Sequence, residues 1–289
     1  MRIAIIYGPR ANRLDWQRFS SPGVNFELLD DLRPGEGYDG ALIFGGDGSV
    51  HRQLPALCHA GLPALVVASG SGNDFARELG LSTLARARHA WRRFLAGERN
   101  VRQVDLGVIR PLSGHPEAEH YFCCVASIGF DAEASRRANL MPAWLRSHGG
   151  YVLAALQEMS SYRFPKMTIS TTPVVSESGL GTCQLATLVA IANARSYGGG
   201  MKIAPHAVLD DGLLDICFVR QTSRLRMLRF FPTVFSGRHL ELAEVEHCRA
   251  ISVRVETEPI MDVYADGEYI CRTPVEISVA AKALQVITG

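Results

Sequence analysis

The stretch Tyr38-Asp39-Gly40-Ala41-Leu42-Ile43-Phe44-Gly45-Gly46-Asp47-Gly48-Ser49 is a short apolar strand, Ala41 to Phe44, that breaks into three glycines around one aspartate. Glycine reaches positive φ at no steric cost, so such a turn can aim successive amide N–H groups at one anion, typically a phosphate. Asp47 is the odd member, because a carboxylate beside a phosphate is repulsive unless a cation such as Mg²⁺ or a donor group lies between them. The combination points to a metal and nucleotide site. A plain strand-end turn is the competing reading of this stretch taken alone.

A second stretch repeats the plan about 25 residues later. In Leu65-Val66-Val67-Ala68-Ser69-Gly70-Ser71-Gly72-Asn73-Asp74-Phe75-Ala76-Arg77-Glu78-Leu79-Gly80 a β-branched strand meets a Gly/Ser turn, then Asn73 or Asp74 as the N-cap of a short helix closed by Gly80. Two successive strand–turn–helix units make a parallel sheet whose loops gather at one edge, where open α/β sheets bind ligands. Phosphate binding therefore ranks above the plain turn.

The two stretches also resemble a known pair of motifs. Gly45-Gly46-Asp47-Gly48-Ser49 is similar to the GGDGT signature of diacylglycerol kinases, sphingosine kinases, NAD kinases and phosphofructokinases, and Gly70 to Arg77 is similar to the GTxNDFAR segment of the lipid-kinase branch. Further lipid-kinase segments recur in order: Ser127-Ile128-Gly129-Phe130-Asp131-Ala132, Gly198 to Pro205, Asp210-Asp211-Gly212-Leu213-Leu214-Asp215, and Asp266-Gly267-Glu268. The resemblance covers nearly the whole chain.

It implies an ATP-dependent lipid kinase that transfers the γ-phosphoryl group, with Mg²⁺, to a lipid hydroxyl, diacylglycerol being the default acceptor. The implied nucleotide site comprises Gly8, Pro9 and Arg10 of the first loop, Gly45, Gly46, Asp47, Gly48 and Ser49 of the second, and Gly70, Ser71, Asn73 and Asp74 of the third. The implied catalytic residues are Glu268, as the base for the acceptor hydroxyl, and Asp47, as organiser of the Mg²⁺ shell. A second, structural divalent ion is implied at Asp211, with Val208 and Leu213 contributing main chain. For Asn73 and Asp74 simple capping stays open, for Glu268 a hairpin turn, and for Asp211 a capped turn without metal.

The chain also departs from the family. The loop after the first strand has the family's proline but lacks its leading Asn and later Gly, His51-Arg52 replaces an Asn-Glu or His-Glu pair, and Ser49 and Ser71 stand where Thr is common. The rival readings are an NAD kinase-like or sphingoid kinase and a non-catalytic lipid- or nucleotide-binding protein.

Composition narrows the class further. The 289 residues are 47% hydrophobic and 20% charged, ordinary for a folded globular protein, and 30 basic against 29 acidic residues argue against a nucleic acid polymer as partner. Seven scattered cysteines without a C-x-x-C pair fit a reducing cytosol. Met1 to Gly8 reads as a strand rather than a signal peptide, and no apolar run approaches the roughly 18 residues of a membrane span. The expected location is cytoplasmic, peripheral to the inner face of the membrane, with a homodimer left open. Ser223 to Leu240 mixes arginines with Leu and Phe in a composition suited to a helix at a membrane surface.

Residues 1–104 are expected to form an α/β nucleotide-binding domain, and 105–289 a β-sandwich-like lipid-acceptor domain whose last strand can return to the first. Expected strands include Arg2 to Tyr7, Asn25 to Leu29, Tyr121 to Ile128, Val275 to Val279 and Leu284 to Ile287, with helices after Gly48 (disturbed by Pro55), over Thr83 to Gly97 and over Gly150 to Tyr162. The Thr83 to Gly97 helix carries a basic outer face of Arg86, Arg88, Arg92 and Arg93.

Overall fold

The apolar runs that open the chain form four strands, β1 (Arg2–Tyr7), β2 (Asn25–Leu29), β3 (Gly40–Gly45) and β4 (Ala64–Ala68). β3 is buried at all six positions and β1 and β4 at four each, as strands covered on both faces must be. All pairings among them are parallel, β2 to β1, β1 to β3 and β3 to β4. The structure is a computed structural model that describes residues 1–9, 11–13, 15–33, 35–114, 118–142, 150–174 and 184–289.

Parallel neighbours need crossovers, and helices supply them. α1 (Asp47–Ala60) joins β3 to β4, and α2 (Asp74–Glu78) and α3 (Leu84–Leu95) follow β4. α1 buries Val50, Leu54 and Leu57, as its spacing demands, and passes through Pro55 without ending. Pro55 lies on the exposed face, where the lost hydrogen bond frees a carbonyl toward water. α3 is capped by the Thr83 side chain, which accepts the Arg86 N–H at 3.2 Å, and it buries Ala87, Ala90 and Trp91.

β5 (Val101–Pro111) leads into the second unit, which holds β6 (His120–Phe122), β7 (Val125–Gly129), α4 (Phe130–Asn139), α5 (Gly150–Ser161), β8 (Lys166–Val174), β9 (Gln184–Ala192), β10 (Leu214–Arg220), α6 (Arg224–Ser236), β11 (Val245–Glu258), β12 (Asp262–Ala265) and β13 (Glu268–Arg272). The last strand, β14 (Val275–Ile287), begins there too. The chain divides into Met1–Leu106 with Ala281–Gly289, and Gly107–Ala280, so β14 returns to the first unit and pairs in parallel with β4.

The second unit is antiparallel and β-sandwich-like. Its strands run β13-β12-β7-β9-β10-β11-β14, and β8 pairs with both β11 and β9. Phe122, Ile128, Val189, Ile216, Val253 and Ile277 fill its core. α4, α5 and α6 meet over a separate cluster that includes Phe130, Met159, Tyr162 and Met227. No helix among the described residues is long and apolar enough to cross a membrane.

Three expectations change here. Tyr121 to Ile128 is two strands rather than one, because the chain bends at Cys123-Cys124. Val275 to Val279 and Leu284 to Ile287 are one strand, which continues through Lys282 at φ 54° while the buried Asp105 carboxylate accepts the Lys282 N–H at 2.7 Å. The segment after Ile128 turns into a helix, α4, that its short polar pattern did not announce.

Candidate active site

The first cluster of expected residues stands at the carboxyl ends of three adjacent parallel strands. Gly8 follows β1, Gly45 ends β3, and Ser69-Gly70 follows β4. Gly8 N–H donates to the Phe44 carbonyl at 2.7 Å and Ser69 N–H to the Gly45 carbonyl at 3.1 Å, which locks the three loops side by side. Gly48 and Ser49 lie in the first turn of α1. Pro9 borders the first loop, and Arg10 lies outside the described residues.

Gly8, Gly45, Gly46 and Gly70 are needed for closeness and not, as the sequence suggested, for positive φ. Gly45, Gly46, Gly48 and Gly70 all keep backbone angles open to other residues. A Cβ on Gly46 would sit 2.9 Å from Gly70 Cα, and one on Gly70 only 2.5 Å from Gly46 Cα. The two loops therefore touch through bare backbone. Ser49, 8% exposed, fills the space beneath the others: a Cβ on Gly8 would fall 2.3 Å from its Oγ.

Asp47 joins the two motifs. Its Oδ2 accepts the Asp74 N–H at 3.1 Å and its Oδ1 the Phe75 N–H at 3.0 Å, so it caps α2 from another loop. Asn73 makes no side-chain cap; it sits in the left-handed region at φ 55°, its Oδ1 accepts the Gly70 N–H at 2.8 Å, and its Nδ2 donates to the Gly70 carbonyl at 2.7 Å. Asp74 is buried and paired with Arg77, whose other nitrogen donates to the Gly72 carbonyl at 2.8 Å. Ser71 lies at the exposed crest of this loop.

This arrangement fits a phosphate chain with a hard cation. Bare glycine backbone gives close approach, the N-terminus of α1 favours anions, and the Asp47 carboxylate supplies the hard oxygen donors that a divalent ion takes.

The second cluster is the hairpin between β12 and β13. Asp266 and Gly267 have φ 51° and 86°, the consecutive left-handed pair of a two-residue hairpin turn. The Asp266 carboxylate reaches back to the β6–β7 bend and accepts Cys123 N–H at 2.9 Å, Cys124 N–H at 2.8 Å and Val125 N–H at 3.2 Å. From the other side, Asn139 of α4 donates to the Gly267 carbonyl at 2.9 Å. Glu268 follows this clamped turn, exposed and without a hydrogen bond or ion pair among the described residues. A carboxylate so placed has its lone pairs available to accept a proton.

At the third expected position, Asp211 Oδ1 accepts the Leu213 N–H at 3.0 Å and its Oδ2 pairs with Arg249. Arg249 stands directly across from Asp215 in the β10–β11 ladder, so strand register delivers the guanidinium. Each oxygen thus has one partner, and the Arg249 guanidinium places a positive charge at the turn. Val208 is exposed and Leu213 half-buried beside the same turn.

Sequence reasoning quoted Asp131 within a motif but gave it no role. In the first turn of α4 it is 1% exposed, and burial pushes its carboxyl up to about 6, against hydrogen bonds with Tyr197 and Ser127. Its local sequence, read as the end of a strand, carries no sign of a buried acid, and only the tertiary packing reveals the burial. A carboxyl whose folded pKa lies above its ordinary 3.8 favours folding while protonated. Its contribution is complete below that value and is lost as pH rises through about 6, a loss of about 3 kcal/mol by neutral pH. Asp131→Asn is therefore expected to raise the melting temperature near pH 7.5 and leave it unchanged near pH 3.5. Thermal denaturation at the two pH values checks this; an equal fall at both would mean that the charged form is structurally required.

Comparison with known proteins agrees with this fold. The Diacylglycerol kinase catalytic domain profile matches residues 8–109, and the YegS C-terminal NAD kinase beta sandwich-like domain profile matches residues 124–288. A diacylglycerol kinase of Mycobacterium tuberculosis (strain ATCC 25618 / H37Rv) is 39% identical over 255 residues, 87% of this chain and 77% of that protein. A crystal structure of a diacylglycerol kinase from Bacillus anthracis str. Sterne shares the fold at TM-score 0.67, with 18% identity over 100% of this chain and 97% of that one. An NAD kinase from Archaeoglobus fulgidus in complex with ATP aligns at TM-score 0.51, with 15% identity over 96% of this chain and 89% of that one. With one profile spanning over half its length and a relative of this identity, the chain belongs to the diacylglycerol kinase family of lipid kinases and is a kinase.

Proposed function

We propose that this kinase transfers the γ-phosphoryl group of ATP to the hydroxyl of diacylglycerol, with Glu268 as the general base. The observation that carries the assignment is the contrast within Asp266-Gly267-Glu268: the aspartate accepts three peptide N–H groups that hold the turn, while the glutamate two residues on is exposed, its side chain without a hydrogen bond or ion pair among the described residues. Glu268 accepts the acceptor's proton as the oxygen attacks phosphorus. Gly46, Gly48, Ser49, Gly70 and Ser71 hold the phosphates through peptide N–H and hydroxyl groups, Gly8 and Pro9 border the nucleotide, and Asn73 and Asp74 keep the third loop in shape. Mg²⁺, organised by Asp47, supplies charge neutralisation on the phosphates when bound. No ion is assigned to Asp211, where Arg249 supplies the positive charge.

The test is transfer of label from [γ-³²P]ATP, with Mg²⁺, to diacylglycerol and sphingosine in mixed micelles and to NAD in solution. Labelled phosphatidic acid is the expected product. Label on NAD alone, or on no acceptor, overturns the proposal.

With no membrane-crossing helix among the described residues, the kinase of this proposal meets its acceptor at the bilayer surface, and α6 has the composition suited to it. Leu225, Leu228 and Phe235 are 71%, 46% and 42% exposed along one side, and the helix carries Arg224, Arg226 and Arg229 but no acidic residue. Replacing Leu225 and Leu228 together by glutamate is expected to weaken sedimentation with phosphatidylglycerol-containing vesicles by roughly ten-fold or more, while turnover of a short-chain soluble diacylglycerol is kept. Unchanged sedimentation would remove α6 from the docking surface.

A further inference from the structure

Adjacent residues of a regular strand point to opposite faces, yet Cys123 and Cys124 do not separate in that way. Both thiols are buried, at 0% and 1% exposure, and their sulfurs lie 4.0 Å apart. The bend that brings them together is held from both sides. Asp266 accepts the N–H groups of Cys123, Cys124 and Val125, while the Cys123 carbonyl accepts from Asn193 Nδ2 at 3.0 Å and the Cys124 carbonyl from Asn193 N at 2.9 Å and Ala194 N at 3.1 Å. Asp266 Oδ2 is also 3.4 Å from Cys123 Sγ.

Among the described residues this is the one group of three or more Cys, His, Asp or Glu side chains whose ligand atoms all lie within 4.8 Å of one another. A tetrahedral zinc ion, with Zn–S near 2.3 Å and Zn–O near 2.0 Å, places two sulfurs about 3.8 Å apart and a sulfur and an oxygen about 3.5 Å apart. The observed 4.0 and 3.4 Å lie close to both values.

We propose that Cys123, Cys124 and Asp266 form a binding site for one thiophilic divalent cation of the zinc class, which on binding ties the Asp266-Gly267-Glu268 hairpin to the β6–β7 bend. Two S–metal bonds and one O–metal bond form, the two thiol protons pass to solvent, and no electron is transferred. The fourth position is left for water. Thiolates select zinc-class ions over Mg²⁺, so this site and a nucleotide-bound Mg²⁺ do not compete. The metal adds a link that spans more than 140 residues of sequence, next to the strand that begins with Glu268.

Titration with CoCl₂ tests this independently of any kinase activity. The expected result is a thiolate-to-cobalt charge-transfer band in the near ultraviolet that saturates at about one cobalt per chain and is abolished by zinc. Cys123→Ala and Cys124→Ala should each remove the band, whereas Cys271→Ala should leave it. Absence of the band from the wild-type protein, or its survival in both variants, overturns the site. Should either variant lose its native circular dichroism spectrum, alkylation of the wild-type chain decides: zinc must protect Cys123 and Cys124, and equal labelling with and without zinc rejects the proposal.

Discussion

Glu268→Gln is expected to lower kcat for lipid phosphorylation by about 10²–10⁴-fold, the usual worth of a general base, while the melting temperature stays within about a degree of wild type. The fold is insensitive because Glu268 is exposed at the first position of β13 and makes no hydrogen bond or ion pair among the described residues. Glutamine matches its shape but cannot take a proton. The neighbouring carboxylate should fail in the opposite manner. Asp266→Ala strips three peptide N–H groups at the β6–β7 bend of their acceptor, and is expected to cost about 2–3 kcal/mol of stability before any effect on catalysis is read. Steady-state kinetics beside thermal melts of the two variants separates these outcomes. Near-wild-type turnover in Glu268→Gln would remove it from the base role.

Asp47→Ala is expected to combine both kinds of loss. Removing the carboxylate leaves the Asp74 and Phe75 N–H groups without their acceptor, which costs about 1–2 kcal/mol, as for other lost helix caps, and lowers the melting temperature by several degrees. If Asp47 also organises the cation on the phosphates, turnover falls by about 10²-fold or more, beyond anything that a loosened α2 explains. Asp47→Asn divides the two effects. Its amide oxygen still accepts one of the two N–H groups, so part of the stability returns, but the charge does not and turnover stays low. Kinetics with increasing Mg²⁺, alongside melting temperatures of both variants, is the deciding measurement. Recovery of activity in step with stability would make Asp47 a structural residue only.

The two motif loops were legible because their information is local. A run of apolar residues long enough for a doubly covered strand, then glycines, then a helix, specifies β3 with α1 and β4 with α2 whatever surrounds them. The hairpin at Asp266-Gly267 follows from the same local logic, since few residue pairs accept two successive left-handed positions. The second unit was legible as strands but less so at its joints. The break at Cys123-Cys124 is imposed by Asp266, more than 140 residues away, and the continuity of β14 through Lys282 by Asp105, 177 residues away.

The site divides along the same line. Sequence alone determined which loops carry the glycines, because apolar runs and spacing place them at strand ends, whereas Glu268 came only through the family resemblance of Asp266-Gly267-Glu268 and its exposure only from the structure. The tertiary structure alone decided what each polar side chain does. Asp47 became the cap of a helix in the next motif, Asn73 a loop closure, Asp211 the partner of Arg249, and Asp131 a buried acid. Each of those outcomes depends on a hydrogen-bond partner or a burial set by strand register and loop contact, and neither is encoded in the spacing of neighbouring residues.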